Sequence, residues 1–370
     1  MGIQKSTYSG ALLGLACGDA MGFTVDNRTW DEIREDYGPN GLLGYDLVNG
    51  YAEITSYTQL AAFTCNGLLF GLTRGQMTGK MAPLVNYIAL AEKEWAASQQ
   101  AWGRPDRNYC WLLTENAMCH RHYMDGRMLE ALSRDNRRYP LGSPDQPRNN
   151  HAGPGALTTA IGVALFADQE RLSQEEADLL GAEAVALTHG SPQAFVAGAA
   201  LTHLMSRVLR SPNASFRLLV KETLDIIRKT YGHRYSGAYE LCELMQNAAI
   251  YASDPGLPPW QVMEKLRCET APQVLAGAVY AVLVSGGDFD TAMIAAVNHS
   301  GRSAAVGAIA GAILGARLGE ESLPEFYIEC IEPGEILREL AEDLYHGCPM
   351  EQGNRLFDLD WDRKYLHGGR

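Results

Sequence analysis

The 370-residue chain is 46% hydrophobic and 20% charged, a balance that suits a globular protein with a large core. Its formal net charge of −13, with no basic stripe to offset it, argues against nucleic acid as the main partner. The longest apolar runs, 274–284 and 304–316, fall short of the ~20 residues needed to span a bilayer.

In chain order, helical periodicity marks residues 9–21, 59–72, 81–98, 155–167, 173–187, 194–209, 215–231, 239–251, 259–268, 272–284, 290–298, 303–317 and 334–345, and alternating strand patterns are scarce. Loop punctuation gathers at 38–50 and in "YPLGSPDQPRNNHAGPG" (139–155). The second stretch has the look of a linker. The apolar helices on either side of it, however, lack polar faces broad enough for separate small domains. The expectation is therefore one all-α domain over 1–370. The short basic clusters "HRH" (120–122) and "RDNRR" (134–138) read as solvated surface.

The eight cysteines show no CxxC pair and no regular spacing, and Cys17 and Cys65 lie among apolar residues. Free buried thiols of this kind fit a reducing compartment. The start "MGIQKSTYSG" lacks a charged-then-apolar signal pattern. Together these features lead us to expect a soluble, cytoplasmic protein.

Two helical segments carry glycine at every fourth position: Gly10, Gly14, Gly18 and Gly22 in the first, and Gly307, Gly311, Gly315 and Gly319 in the later one. Each glycine costs about 1 kcal/mol relative to alanine inside a helix, so the repetition needs a reason. Residues four apart share one ridge, and bare ridges let two helices approach closely. The first segment also holds Asp19, with Asp26 just beyond its end. A carboxylate on such a helix must find hydrogen-bond donors or line a polar cleft. Asp19 reads as structurally satisfied, whereas Asp26, in the following loop, is freer to face a ligand.

Four stretches, "GALLGLACGDAMG", "AEITSYTQLAAFTCNGLLFGLTRG", "ALTHGSPQA" and "AVNHSGRSAAVGAIAGAILGA", occur in that order. Together they resemble the ADP-ribosylglycohydrolase family, which includes dinitrogenase-reductase-activating enzymes, over most of the chain. The resemblance implies a single, mostly helical domain with a central cleft. It also implies two magnesium ions that position ADP-ribose, and cleavage of an N- or O-glycosidic bond to the ribose.

This sequence departs from the family in both metal motifs. The family's Ser/Thr-Asp-Asp-Thr falls on Thr55, Ser56, Tyr57 and Thr58, and its Gly-Asp-x-Asp-Ser/Thr falls on Gly301, Arg302, Ser303, Ala304 and Ala305. Ser56, Tyr57, Arg302 and Ala304 thus stand where carboxylates are expected. The usual glutamate after the first helix is matched by the shorter Asp26, and the Met-Arg pair that follows a glycine-rich loop is missing at "GPGALTT". "GGDFDT" (286–291) precedes the wrong helix to be the lost motif, and Asp288 and Asp290 read as helix-start residues. His189 and His299 lie in family-like motifs and read as hydrogen-bonded structural histidines.

Magnesium is a hard ion that wants carboxylate oxygen, so no metal or other cofactor is expected here. By resemblance, ligand contacts fall to Thr55, Ser56, Tyr57, Thr58, Gly153, Gly155, His299, Arg302 and Ser303. Arg302 has the fork geometry for a diphosphate or other anion, or else pairs with Asp26 or Asp19. Three functions remain open. One is a catalytically impaired member that binds an ADP-ribose-like or nucleotide ligand. The second is a metal-independent hydrolase with Asp26 as acid or base. The third is a ligand-free scaffold.

Overall fold

In the computed structural model, which describes residues 5–100, 108–121, 124–134, 140–169, 171–353 and 356–369, helices account for all the regular structure. In chain order they are α1 (Lys5–Phe23), α2 (Trp30–Tyr37), α3 (Ser56–Thr78), α4 (Leu84–Ser98), α5 (Gly126–Ser133), α6 (Thr159–Ala167) and α7 (Gln174–Ala186). Then follow α8 (Pro192–Arg210), α9 (Phe216–Tyr231), α10 (Gly237–Tyr251), α11 (Pro259–Leu266), α12 (Ala271–Val284) and α13 (Phe289–Val297). The last are α14 (Ser303–Leu318), α15 (Glu325–Glu329), α16 (Gly334–His346) and α17 (Leu359–Leu366). Among the described residues the only extended pairings are two isolated bridges, Val48 with Tyr51 and Ala52 with Ile331.

All thirteen segments marked by periodicity are helical, with shifted ends, and one core runs through them. The helices that periodicity missed, α2, α5, α15 and α17, have eight residues or fewer, too few turns to establish a period. The basic clusters at 120–122 and 134–138 fall partly outside the described residues. None of the cysteines is paired, and five of the eight are buried. No described helix is long and apolar enough to cross a membrane.

The two glycine-spaced helices are α1 and α14, and they lie antiparallel against each other. Every residue from 7 to 22 and from 303 to 316 is buried, as expected for helices apolar on all sides. Their glycines meet in register. A methyl added at Gly10 would lie 2.3 Å from the carbonyl oxygen of Gly315, one at Gly14 2.2 Å from that of Gly311, and one at Gly18 1.9 Å from that of Gly307. The last step sets Gly22 against Ser303, where a methyl would fall 2.4 Å from the Ser303 carbonyl oxygen. Backbone thus packs on backbone along the whole seam, and the end of α1 is held against the start of α14.

Other helix starts gather at the same end of the molecule, around residues 149–158. Thr158, which precedes α6, donates from Oγ1 to the carbonyl of Tyr57 in the first turn of α3 (2.7 Å). Ser191, the residue before α8, donates its N–H to His151, and Ala271, the first residue of α12, donates its N–H to Ala152. One short loop is therefore tied to the N-termini of α3, α6, α8 and α12.

The seam gives a direct test. Gly14→Ala drives a methyl into backbone that cannot rotate away, so it lowers the unfolding free energy by about 1–3 kcal/mol, despite alanine's better helix propensity. Gly126→Ala, where an added methyl meets nothing within 4 Å, leaves stability unchanged or raises it. Urea unfolding midpoints decide between them, and equal midpoints would contradict the seam.

Candidate functional site

Asp19 projects from the C-terminal end of α1, one turn before Phe23, to the first turn of α3 and is fully buried. Its carboxylate accepts four hydrogen bonds: from the N–H (2.9 Å) and Oγ1 (2.7 Å) of Thr55, and from the N–H (3.1 Å) and Oγ1 (2.6 Å) of Thr58. Thr55 is the N-cap of α3 and itself accepts from the Tyr57 N–H (3.2 Å). Asp19 therefore satisfies free backbone donors at a helix start from a different helix, and its charge complements the positive end of the α3 dipole. Burial pushes its pKa up to about 6, against the pull of the Thr58 and Thr55 bonds. Ser56, Tyr57 and Thr58 are buried with it, and Tyr57 belongs to the hydrophobic core.

Asp26 does for α14 what Asp19 does for α3. It stands in the loop after α1, and its Oδ1 accepts the N–H of Ala304 (3.1 Å) in the first turn of α14. Its Oδ2 accepts from the Asn27 amide (2.6 Å), whose own Oδ1 accepts from Arg302 Nη1 (2.6 Å). Asn27 is thus a bridge between guanidinium and carboxylate. It adopts φ 61°, a left-handed conformation that asparagine tolerates better than most residues. Arg302 Nε also lies 3.5 Å from Glu269. Loss of solvent raises the Asp26 pKa to about 6, with the Ala304 N–H and the Arg302 charge pulling it down and Asp19 and Glu269 adding to the rise. A cation at a helix N-terminus is disfavoured by the dipole; here two carboxylates surround it.

The loop before Arg302 is built to hold this position. His299 is fully buried, with Nε2 2.9 Å from the Ala296 carbonyl and Nδ1 accepting the Gly301 N–H (2.9 Å). Burial lowers its pKa to about 4, so it is neutral. Ser303 is buried and donates to the His299 carbonyl (3.3 Å), and Asn298 brackets Leu42 through both its side-chain atoms. The backbone of Arg302 donates to the carbonyl of Cys268. There, Arg267 and Cys268 both take positive φ, 65° and 50°, a strained conformation for such residues and one that gathers at functional sites. Gly301 fits beneath them because a methyl there would lie 2.5 Å from the Arg267 carbonyl oxygen.

A second cluster was not visible in the sequence. Gly153 and Gly155 sit on it: a methyl at Gly153 would approach His151, and one at Gly155 would approach both Asp125 and His189. Asp125 caps α5; burial raises its pKa, but the hydrogen bond from His151 (2.7 Å) and the imidazole of His189 beside it hold it well below the usual carboxylate range. Its three members come from separate loops with no spacing to link them. His151 also lines a cavity of about 660 Å³ with Arg127, Arg134, Arg148, Asn149 and Asn150. "GGDFDT" has a structural role, since Asp288 caps α13 by accepting the Thr291 N–H (2.7 Å) and Asp290 accepts from the Tyr327 hydroxyl.

The helix-only architecture, the glycine seam and the two motif loops that it brings together define a class. The sequence profile of the ADP-ribosylglycohydrolase family matches residues 3–354, and the chain belongs to that family. Its fold is similar to a solved structure titled "ADP-ribosylglycohydrolase-related protein complex", with a TM-score of 0.59 at 22% identity, covering 92% of this chain and 98% of that one. Comparison with curated proteins returned no match.

The capping roles separate the two carboxylates experimentally. Asp19→Ala strands four buried donors and lowers stability by about 3 kcal/mol or more, whereas Asp26→Asn, whose amide oxygen still faces Ala304, costs less than about 1 kcal/mol at neutral pH. Because the folded pKa of Asp26 exceeds its reference value of 3.8, its contribution is complete below that value and is lost as pH rises through about 6. Unfolding measured across this window is flatter for Asp26→Asn. An unchanged slope would show that Asp26 titrates as a free carboxylate.

Proposed function

We propose that this protein is a family member without the dinuclear magnesium site, impaired in hydrolysis, which binds an ADP-ribose-like anion in its cleft. The observation that carries this reading is the double capping. The oxygens nearest the expected metal motifs are already engaged, Thr55 and Thr58 with Asp19 and Asp26 with Ala304. Magnesium requires oxygen ligands and normally keeps one or two carboxylates. At the four positions where the family supplies them, Ser56 and Tyr57 are buried, Ala304 has no side-chain oxygen and Arg302 carries a positive charge. These residues do not fit a pair of magnesium ions.

Anion binding is supported by what remains. Several helix starts share the loop at 149–158, and helix N-termini favour negative charge. Arg302 is only part-buried, and its fork suits two phosphate oxygens. In this reading a diphosphate takes Arg302 from Asn27 and Glu269, while Gly153 and Gly155 let the ligand approach the backbone of their loop. His299 and Ser303 hold the shape of the Arg302 loop, and Thr55, Ser56, Tyr57 and Thr58 close the floor.

A second reading, a metal-independent glycosidic hydrolase, is favoured by Asp26 alone. A part-buried carboxyl with a pKa near 6 is suited to general acid or base work near neutral pH. It requires that Asp26→Asn abolish turnover and that chelator have no effect.

Binding and turnover are tested together. With EDTA present, ADP-ribose at a hundredfold excess over Kd stabilises the folded protein by about 2.7 kcal/mol, and magnesium adds nothing. Arg302→Gln removes the shift in melting temperature. Robust magnesium-dependent hydrolysis of ADP-ribosylated arginine, ADP-ribosylated serine or O-acetyl-ADP-ribose would refute the proposal. The absence of any ligand-induced shift would favour the scaffold.

A further inference from the structure

Outside the Asp26–Arg302 corner, Asp125, His151 and His189 each present one ligand atom, and the three atoms lie within 4.8 Å of one another. His151 Nε2 is 2.7 Å from Asp125 Oδ2, and His189 Nε2 is 3.7 Å from the same oxygen. His189 is fully buried, and its Nε2 has no hydrogen-bond partner. A buried polar nitrogen left unmet costs free energy and calls for an explanation. This one points at a carboxylate and a second imidazole.

We propose that Asp125, His151 and His189 bind one divalent transition-metal ion of the zinc type. Two imidazoles and one carboxylate suit zinc and its neighbours and do not suit magnesium, so this site is separate in chemistry from the family's magnesium pair. Each ligand is already oriented through its other atoms, as metal ligands commonly are. Asp125 Oδ1 accepts the N–H groups of Arg127 (2.9 Å) and Met128 (3.4 Å), which leaves Oδ2 for the ion. His189 Nδ1 lies 2.8 Å from Thr188 Oγ1, which leaves Nε2. The backbone of His151 is fixed at both ends, its N–H on Asn149 Oδ1 (2.9 Å) and its carbonyl under the Ser191 N–H.

The rings of His151 and His189 are stacked, with centroids 4.3 Å apart and planes inclined by 21°. In that arrangement both Nε2 atoms face the same carboxylate oxygen, Asp125 Oδ2. Convergence on one ion requires the part-buried His151 ring to turn about its Cβ–Cγ bond. It gives up its hydrogen bond to Asp125, and its proton moves from Nε2 to Nδ1, so both imidazoles bind neutral. On the Nδ1 side His151 meets Arg127 Nη1 at 3.5 Å, and that arginine is exposed. Gly155 leaves the space, since a methyl there would stand 3.1 Å from His189 Nε2. Three protein ligands leave one tetrahedral position for water or a further ligand, as in zinc sites that keep an open position, and His151 also lines the cavity of about 660 Å³.

The test is equilibrium dialysis of the full chain, stripped with EDTA, against zinc or cobalt(II). The expected result is one ion per chain, with affinity falling roughly tenfold or more in both His151→Ala and Asp125→Asn. Both of these positions are part-exposed, so they keep the test usable where the buried His189→Gln variant misfolds. The cobalt form shows ligand-field bands without a thiolate charge-transfer band, which separates this site from the free cysteines. Magnesium in millimolar excess does not displace the ion. No retained ion, or binding that neither variant weakens, would overturn the proposal.

Discussion

The structure depends on the close approach of α1 and α14, where glycine meets glycine along an antiparallel seam. The contact is backbone on backbone, so it fixes the register of the two helices in steps of one turn. It also decides what lies at the open end. With Gly10 on Gly315 and Gly18 on Gly307, the chain beyond Gly22 arrives at Ser303 and Ala304. Asp26 then reaches the first turn of α14, and Asp19, one turn back along the seam, reaches the first turn of α3. A seam of larger residues would hold the helices farther apart and break both contacts.

Those two contacts give this end of the molecule its character. Helix starts left without partners are ready sites for anions or for cations carried with carboxylates. Here each start has been supplied with a carboxylate from the α1 region, and Arg302 is linked to one of them through Asn27. Under the proposed function, internal capping takes the place of the family's metal carboxylates and leaves Arg302 to meet a ligand anion. A cation can stand at the mouth of this buried helix because Asp26 accepts the Ala304 N–H and is linked through Asn27 to Arg302, while Glu269 lies beside the guanidinium.

Much of this was legible in the sequence. The fourfold glycine spacing predicted a close helix pair, and long helices such as α8 and α14 announced themselves through sustained apolar stretches. Asp19, isolated among small apolar residues, read as a satisfied carboxylate, and four donors meet it. Asp288 read as a helix start and caps α13. What sequence could not carry was anything set by tertiary contact. The link from Arg302 through Asn27 depends on a left-handed turn residue in a loop 275 positions away, and Glu269 reaches the same corner from a strained loop. The Asp125, His151 and His189 cluster joins residues with no common motif. The short helices α2, α5 and α15 lacked the length to show a period.

The central claim is that no divalent pair sits between the starts of α3 and α14. Anomalous diffraction from crystals grown with manganese and ADP-ribose tests it at the level of single atoms. The account predicts density for the ligand's phosphates beside Arg302 and no anomalous peak between Tyr57 and Arg302. Two adjacent manganese peaks at that position would contradict it.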